Sequence, residues 1–348
     1  MNPGSPANLD TAEVGILSTE QASRNLLSDA AQLVESGMQA VNQCIKGNLN
    51  SDIALINSLS AYIINSGGKR LRPLTLLLCS RTLGLDDTNQ NAVLLAAVIE
   101  FIHTATLLHD DVVDNSDLRR GNATANAVWG NEASVLVGDF LYSRAFEMMV
   151  KTNKMAVMDV MAHTTNRIAE GEVMQLLNAH SADLTENQYL ETITRKTAKL
   201  FESAGQLAAV ISDADESVYL GLAAYGRHLG TAFQIVDDML DYTQDAASMG
   251  KDPGDDLAEG KPTLPVIQAM KTASKADQEI IRNAIENGDR ESITRITQII
   301  ESTGALAYTS RRAVAEANLA KQALKCLPDS RYRQALENLA EFSVARTF

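Results

Sequence analysis

Two stretches of the sequence repeat one acidic pattern: Asp110-Asp111-Val112-Val113-Asp114 and Asp237-Asp238-Met239-Leu240-Asp241. Each reads D-D-x-x-D, and each is flanked by apolar residues at helical spacing. On a helix, residues i and i+4 share one face about 5–6 Å apart, so Asp110 stacks over Asp114 and Asp237 over Asp241. Like charges held that way cost a helix roughly a few tenths of a kcal/mol. One such pattern arises by chance in roughly one chain of ten, and two in fewer than about one in a hundred. Hard divalent cations seek carboxylate oxygens, so two facing carboxylate helices would hold Mg²⁺ against a phosphorylated substrate.

Cationic and polar residues accompany both clusters. His103 lies two helical turns before Asp110 on the same face, and Asp117, Arg119, Arg120 and Gly121 follow the first cluster. Two adjacent guanidiniums just past a group of carboxylates make sense once a diphosphate stands between them, metal-bound on one side and Arg-bound on the other. In the second cluster Gly230, Gln234, Asp237 and Asp241 fall on one helical stripe, and Leu229, Phe233, Val236 and Leu240 form an apolar stripe beside it. Gly67-Gly68-Lys69-Arg70-Leu71-Arg72-Pro73 sets three cations between a turn and a helix start, a place that suits anions. Its glycine spacing is not that of a P-loop. Arg195-Lys196-Thr197 lies within a helical stretch, and Lys251 and Lys261 lie in a polar loop. Taken singly, each has an ordinary alternative: surface ion pairs for the arginines, a satisfied core histidine for His103, solvated lysines for the rest.

The elements that must carry these residues are helices. There is no proline between Pro73 and Pro253 and no strand alternation. Apolar residues at helical spacing predict long helices over 92–113, 132–152, 155–178, 186–213 and 217–243, with shorter ones on either side. Several are apolar nearly all round and should be central in a bundle. Residues 1–17 are polar and small and are expected to be disordered; Ser18 with Gln21 resembles a capping box; residues 18–348 are expected to form one all-helical domain.

The chain has 348 residues, 45% of them hydrophobic, enough to bury a sizeable core. Lys plus Arg total 30 against 44 Asp plus Glu, a formal net charge of −14. That balance argues against a nucleic-acid partner and against attachment to anionic lipid. The three cysteines are isolated, without metal-ligand spacing, which fits a reducing, cytoplasmic setting. Residues 1–8 have neither a basic region nor an apolar core, so no signal peptide is expected there. The longest apolar run, Ala92 to Ile102, is interrupted by Glu100, and no bilayer-spanning stretch is expected.

From about residue 20 onward the sequence resembles the trans-isoprenyl diphosphate synthase family, of the long-chain polyprenyl (octaprenyl-like) kind. The resemblance rests on Gly67 to Pro73, His103 to Gly121, Lys196-Thr197, Phe233-Gln234 through Asp241, and Gly260-Lys261-Pro262-Thr263, present in that order. It implies an all-α bundle of mostly antiparallel helices around a deep central cavity, usually a homodimer. It implies two to three Mg²⁺ ions, with Asp110 and Asp114 holding metal on the allylic diphosphate and Asp237 and Asp241 doing so from the opposite wall. Arg119, Lys196, Thr197 and Gln234 would contact the allylic substrate. Lys196 and Lys261 would stabilise the leaving diphosphate, and Lys69, Arg72, His103 and Arg120 would bind isopentenyl diphosphate. Asp111 and Asp238 point about 100° off their clusters' metal faces by helix geometry, and are expected to be ion-paired or to support the ligands from behind.

The reaction implied is ionisation, condensation and elimination, in which cations aimed at the leaving group lower the barrier and no Ser or Cys nucleophile is needed. A growing chain would run past Ala105 and Thr106, one turn before Asp110. Both are small, whereas short-chain members commonly carry an aromatic there, so a long product follows, primed by farnesyl diphosphate and destined for a quinone such as ubiquinone. Leu141, Phe146 and Met149 are candidate floor residues, with ordinary core packing as the alternative. Transient membrane contact for release of the product is expected, without stable insertion. Two other readings compete: a shorter-chain (geranylgeranyl or farnesyl) diphosphate synthase, and a non-catalytic regulatory subunit of a heteromeric synthase. Terpene cyclases and head-to-head synthases are disfavoured by Gly67–Pro73 and Arg120.

Overall fold

The computed structural model describes residues 25–65, 68–119, 121–243 and 254–345. The expected disordered segment 1–17, the Ser18–Gln21 cap, Gly67, Arg120 and Lys251 lie outside the described residues. The helices are Glu35–Asn48, Ala54–Asn65, Leu71–Thr82, Gln90–Val113, Ala125–Trp129, Asn131–Val150, Met155–Asn178, Glu186–Ile193, Lys199–Ile211, Glu216–Leu240, Asp255–Ala258, Leu264–Thr272, Lys275–Asn287, Ile293–Ser302, Ala305–Ala323 and Arg331–Val344. A further helical stretch covers 25–32. The chain is therefore all-α, as its periodicity predicts.

Side chains fix the starts of the long helices. Asn89 accepts from the backbone N–H groups of Asn91 and Ala92 at 3.1 and 3.2 Å, and Asp215 accepts from that of Val218 at 2.9 Å. Thr185 and Gln188 form a capping box at the start of Glu186–Ile193. The Gln90–Val113 helix lies at the centre and packs along Asn131–Val150, while Glu216–Leu240 packs between Lys199–Ile211 and Ala305–Ala323. The main core joins Leu74, Leu76, Leu77, Ile99, Ile102, Phe201 and Tyr225, and a second cluster around Ile281, Ile296 and Ile300 binds the C-terminal helices together.

Three expectations need correction. The Gln90–Val113 helix is long and apolar enough to cross a bilayer, with a mean hydropathy of 1.7 over its best window, because Glu100 alone does not break the run. Most of that window is buried, as befits the central helix of a bundle. A two-residue hairpin, Leu118–Arg119 paired antiparallel with Asn122–Ala123, follows the first cluster, too short for any alternation to announce it. The expected single helix over 186–213 is interrupted by one π-helical turn, Thr194–Ala198.

Candidate active site

Both acidic clusters sit at the C-terminal end of their helix: Asp114 caps Gln90–Val113 and Asp241 caps Glu216–Leu240. There the unpaired carbonyls already carry partial negative charge, so the carboxylates oppose the helix dipole as well as one another, and cations are favoured. Two lysines meet that charge. Lys196 Nζ lies 3.4 Å from Asp110 Oδ2 and 2.5 Å from Glu172 Oε2. Lys261 Nζ lies 2.9 Å from Asp114 Oδ1 and also pairs with Glu259. Burial works against both ammoniums; Asp110 with Glu172, and Asp114 with Glu259, outweigh it and hold each above the ordinary lysine value.

The clusters are joined by two routes. In the first, Lys196 touches Asp110, its neighbour Thr197 donates to Gln234 Oε1 at 3.0 Å, and Gln234 Nε2 donates to Asp238 Oδ1 at 2.7 Å. In the second, Lys261 touches Asp114, its backbone N–H donates to the Asp256 carbonyl at 2.7 Å, and the Asp256 N–H donates to Asp241 Oδ2 at 3.2 Å. Residues more than a hundred positions apart thus share one site.

The off-face aspartates behave as helix geometry predicts. Asp111 is buried, and Arg119 donates to its Oδ1 through Nε at 2.8 Å and Nη2 at 2.6 Å. Arg119, expected at the substrate, is therefore tied to the cluster by this side chain. Asp238 is buried and accepts from the Tyr189 hydroxyl at 2.6 Å as well as from Gln234. Burial, helped by Asp256, pushes its carboxyl up to about 8 against those two hydrogen bonds. Burial likewise lifts Glu172 to about 7, with Lys196 opposing and Asp110 reinforcing the shift.

Arg72 Nη1 donates to His103 Nε2 at 3.0 Å; a guanidinium can only donate, so this ring nitrogen carries no proton. The Arg72 guanidinium also stacks over the Phe201 ring at 4.5 Å. Lys69 lies over the Phe342 ring at 5.3 Å. Asp237 is half-buried on the same helix as Gln234.

Among the described residues, no three His, Cys, Asp or Glu side chains converge as a ready-made metal cage. Mg²⁺ keeps several waters and binds through one or two carboxylates plus substrate phosphate. The hard oxygen donors of Asp110, Asp114, Asp237 and Asp241 fit such an ion.

The proposed chain-length residues lie within or beside the main core. A cavity of about 100 Å³ opens against Thr104, Leu108 and Asp111 of the central helix and is lined also by Leu49, Phe101 and Leu141. Ala105, Thr106 and Met149 are not among the described residues that line it. Thr104, Leu108 and Asp111 repeat at i, i+4 and i+7, a stripe that carries neither Ala105 nor Thr106. Ala105 and Met149 are fully buried in the main core, and Thr106 donates to the His103 carbonyl at 2.8 Å.

Sequence reading overlooked Glu172, Gln175, Tyr189, Asp256 and Glu259. The only signal was spacing: Glu172 and Gln175 are three apart on one helix face, which does not stand out in a chain with 44 acidic residues.

Residues 53–303 match the family model described as Polyprenyl synthetase. The chain is 48% identical over 323 residues to octaprenyl diphosphate synthase of Haemophilus influenzae, covering 92% of this chain and 98% of that one. It is 49% identical over 316 residues to octaprenyl diphosphate synthase of Escherichia coli, covering 90% and 97%. Among solved structures, a polyprenyl synthase from Caulobacter crescentus, complexed with calcium and isoprenyl diphosphate, superposes with a TM-score of 0.89 at 44% identity, covering 92% of this chain and 98% of that one.

Proposed function

The chain belongs to the polyprenyl synthetase family, and from that premise we propose that it makes a long-chain, all-trans polyprenyl diphosphate. The substrates are an allylic diphosphate, with farnesyl diphosphate as primer, and several molecules of isopentenyl diphosphate. The product is of octaprenyl length, the length named for the relatives in H. influenzae and E. coli, and supplies the side chain of a quinone such as ubiquinone. One observation supports the site assignment: the two Asp clusters are linked through Lys196, Thr197 and Gln234 on one route and through Lys261 and Asp256 on the other.

Asp110, Asp114, Asp237 and Asp241 would hold two to three Mg²⁺ ions, which supply Lewis-acid stabilisation of the leaving diphosphate. Lys196 lies against Asp110 and Lys261 against Asp114, so their ammoniums would face the negative charge that develops as the allylic C–O bond breaks. Thr197 and Gln234 fix the position of the diphosphate, and Arg119 closes that side through Asp111. Arg72 and His103 form one unit that receives isopentenyl diphosphate, with Lys69 and Arg120 completing the anion contacts. The double bond of isopentenyl diphosphate attacks the allylic cation, and the departed diphosphate takes the proton. Small side chains at Ala105 and Thr106 are the proposed permissive feature for a long chain.

The test is direct. With farnesyl diphosphate, isopentenyl diphosphate and Mg²⁺, the dephosphorylated products should extend well beyond geranylgeranyl length, and a chelator should stop the reaction. No elongation overturns the synthase assignment and favours a regulatory subunit; products ending at geranylgeranyl length overturn only the long-chain part.

The protein acts as a homodimer. Support comes from the exposed Val135 and Leu136 on Asn131–Val150 and the exposed Val173, Leu176 and Leu177 on Met155–Asn178, apolar side chains that a partner subunit would cover. Light scattering should give twice the 37.6 kDa chain mass, and the mass of one chain would remove this part. The cytoplasm is the proposed location, supported by Cys44, Cys79 and Cys326 all being free thiols. Membrane contact is transient and serves release of the product.

A further inference from the structure

Resting on the synthase reading, we propose that Glu172 and Gln175 are positioning residues that aim Lys196 at the leaving group. Glu172 Oε2 and Gln175 Oε1 lie 2.5 and 2.7 Å from Lys196 Nζ, whereas Asp110 Oδ2 is farther, at 3.4 Å. An ammonium has three donors. Two are taken by Glu172 and Gln175, which leaves the third directed at Asp110 and the cleft.

The backbone beneath is matched to this task. Gly171 packs directly on the π-helical turn that carries Lys196: a Cβ there would stand 2.6 Å from the Lys196 backbone nitrogen. On the other side Glu170 Oε2 pairs with Arg195 Nη1 at 2.7 Å. Glu170, Gly171, Glu172 and Gln175 of one helix therefore all meet Arg195 or Lys196 of the π turn. A lysine has a long, flexible stem, and without the two tethers its ammonium would collapse onto Asp110 and compete for a metal-binding oxygen. The tethers hold it beside that carboxylate and short of full contact.

The full-length chain is assayed with farnesyl diphosphate, isopentenyl diphosphate and Mg²⁺ as wild type, Glu172→Ala, Glu172→Gln, Lys196→Ala and the Glu172→Ala/Lys196→Ala double variant. Glu172→Ala should lower kcat by about 10–100-fold, with KM for isopentenyl diphosphate within about threefold of wild type. Glu172→Gln keeps an oxygen for the ammonium and should recover to within about fivefold of wild type. In the Lys196→Ala background, Glu172→Ala should change kcat by less than about twofold, because Glu172 acts through Lys196. Additive losses in the double variant, or a Glu172→Gln no better than Glu172→Ala, overturn the inference. Acetylation of Lys196, followed by peptide mass spectrometry, reads the tether without turnover: Glu172→Ala should speed it several-fold, and an unchanged rate overturns the inference. A wild type that makes no product sinks the synthase reading instead, while the acetylation arm still decides whether Glu172 holds Lys196.

Discussion

Asp110→Ala ends chain elongation, lowering kcat by at least about a thousandfold, and leaves the helical circular dichroism and the melting temperature essentially unchanged; Asp237→Ala does the same. The size of the loss follows from the chemistry. Removing a single preorganised electrostatic partner of a developing charge costs about 10²–10³ in rate, and on the proposed reading these side chains would act through a divalent ion as well. The intact fold follows from the contacts. Asp110 is partly exposed and its ion pair with Lys196 is the looser one, at 3.4 Å. Without it, Lys196 keeps Glu172 and Gln175, so no buried charge is orphaned. Removal of a like-charge neighbour at a helix C-terminus even relieves a local cost. Unfolding of either variant, or turnover within tenfold of wild type, would assign the clusters a structural role.

Gly226→Ala has the largest expected effect on stability. An added Cβ would stand 2.1 Å from the carbonyl oxygen of Phe201 and 2.8 Å from the Cα of Glu202, backbone atoms that no rotamer change can move. The relation is reciprocal along two antiparallel helices: a Cβ on Gly205 meets the Leu222 carbonyl oxygen at 2.2 Å, and one on Gly230 meets the Ala198 Cα at 2.6 Å. Glu216–Leu240 and Lys199–Ile211 thus touch backbone to backbone over three successive turns. A close-packed interior cannot absorb the intrusion locally, and the cost is about 1–3 kcal/mol or more. That exceeds the gain of about 1 kcal/mol from replacing Gly by Ala within a helix. Activity should fall too, because parting these helices stretches the Thr197–Gln234 bond that links the π turn to the second cluster. Gly47→Ala is the control. It lies in a helix with nothing within 4 Å of its would-be Cβ, and should melt at the same temperature or higher. Equal melting of both variants would mean the helices do not touch as described.

Much of this arrangement is legible in the sequence, for identifiable reasons. Long apolar periods place the helices, and i, i+4 geometry alone sets Asp111 and Asp238 off the faces that carry Asp110 with Asp114 and Asp237 with Asp241, where one meets Arg119 and the other Tyr189 and Gln234. What is not legible depends on which helix lies beside which. Glu172 looks like any surface carboxylate until Gly171 brings its helix against the backbone of Lys196. Arg119 reads as a free cation until the short hairpin turns it back on Asp111. The cavity is lined jointly by Thr104 and Leu108 of the central helix and by Ile45, Leu49 and Ser60 of the N-terminal helices, and no local pattern on the central helix specifies that side.

The π turn at Thr194–Ala198 has a consequence for how the protein can vary. It carries one residue more than a regular turn and takes that residue up where it occurs, so Glu186–Ile193 and Lys199–Ile211 keep their faces, with Tyr189 on Asp238 and Phe201 and Leu207 in the core. Deleting one residue between Thr194 and Ala198 would restore a regular helix and leave those faces nearly in phase; what it would disturb is the placement of Lys196 and Thr197 against Asp110 and Gln234. Deleting a residue within either flanking helix, with no such turn to take it up, would rotate everything beyond it by about 100°. The frame of the helix thus tolerates a change of length at this segment alone, and the site does not.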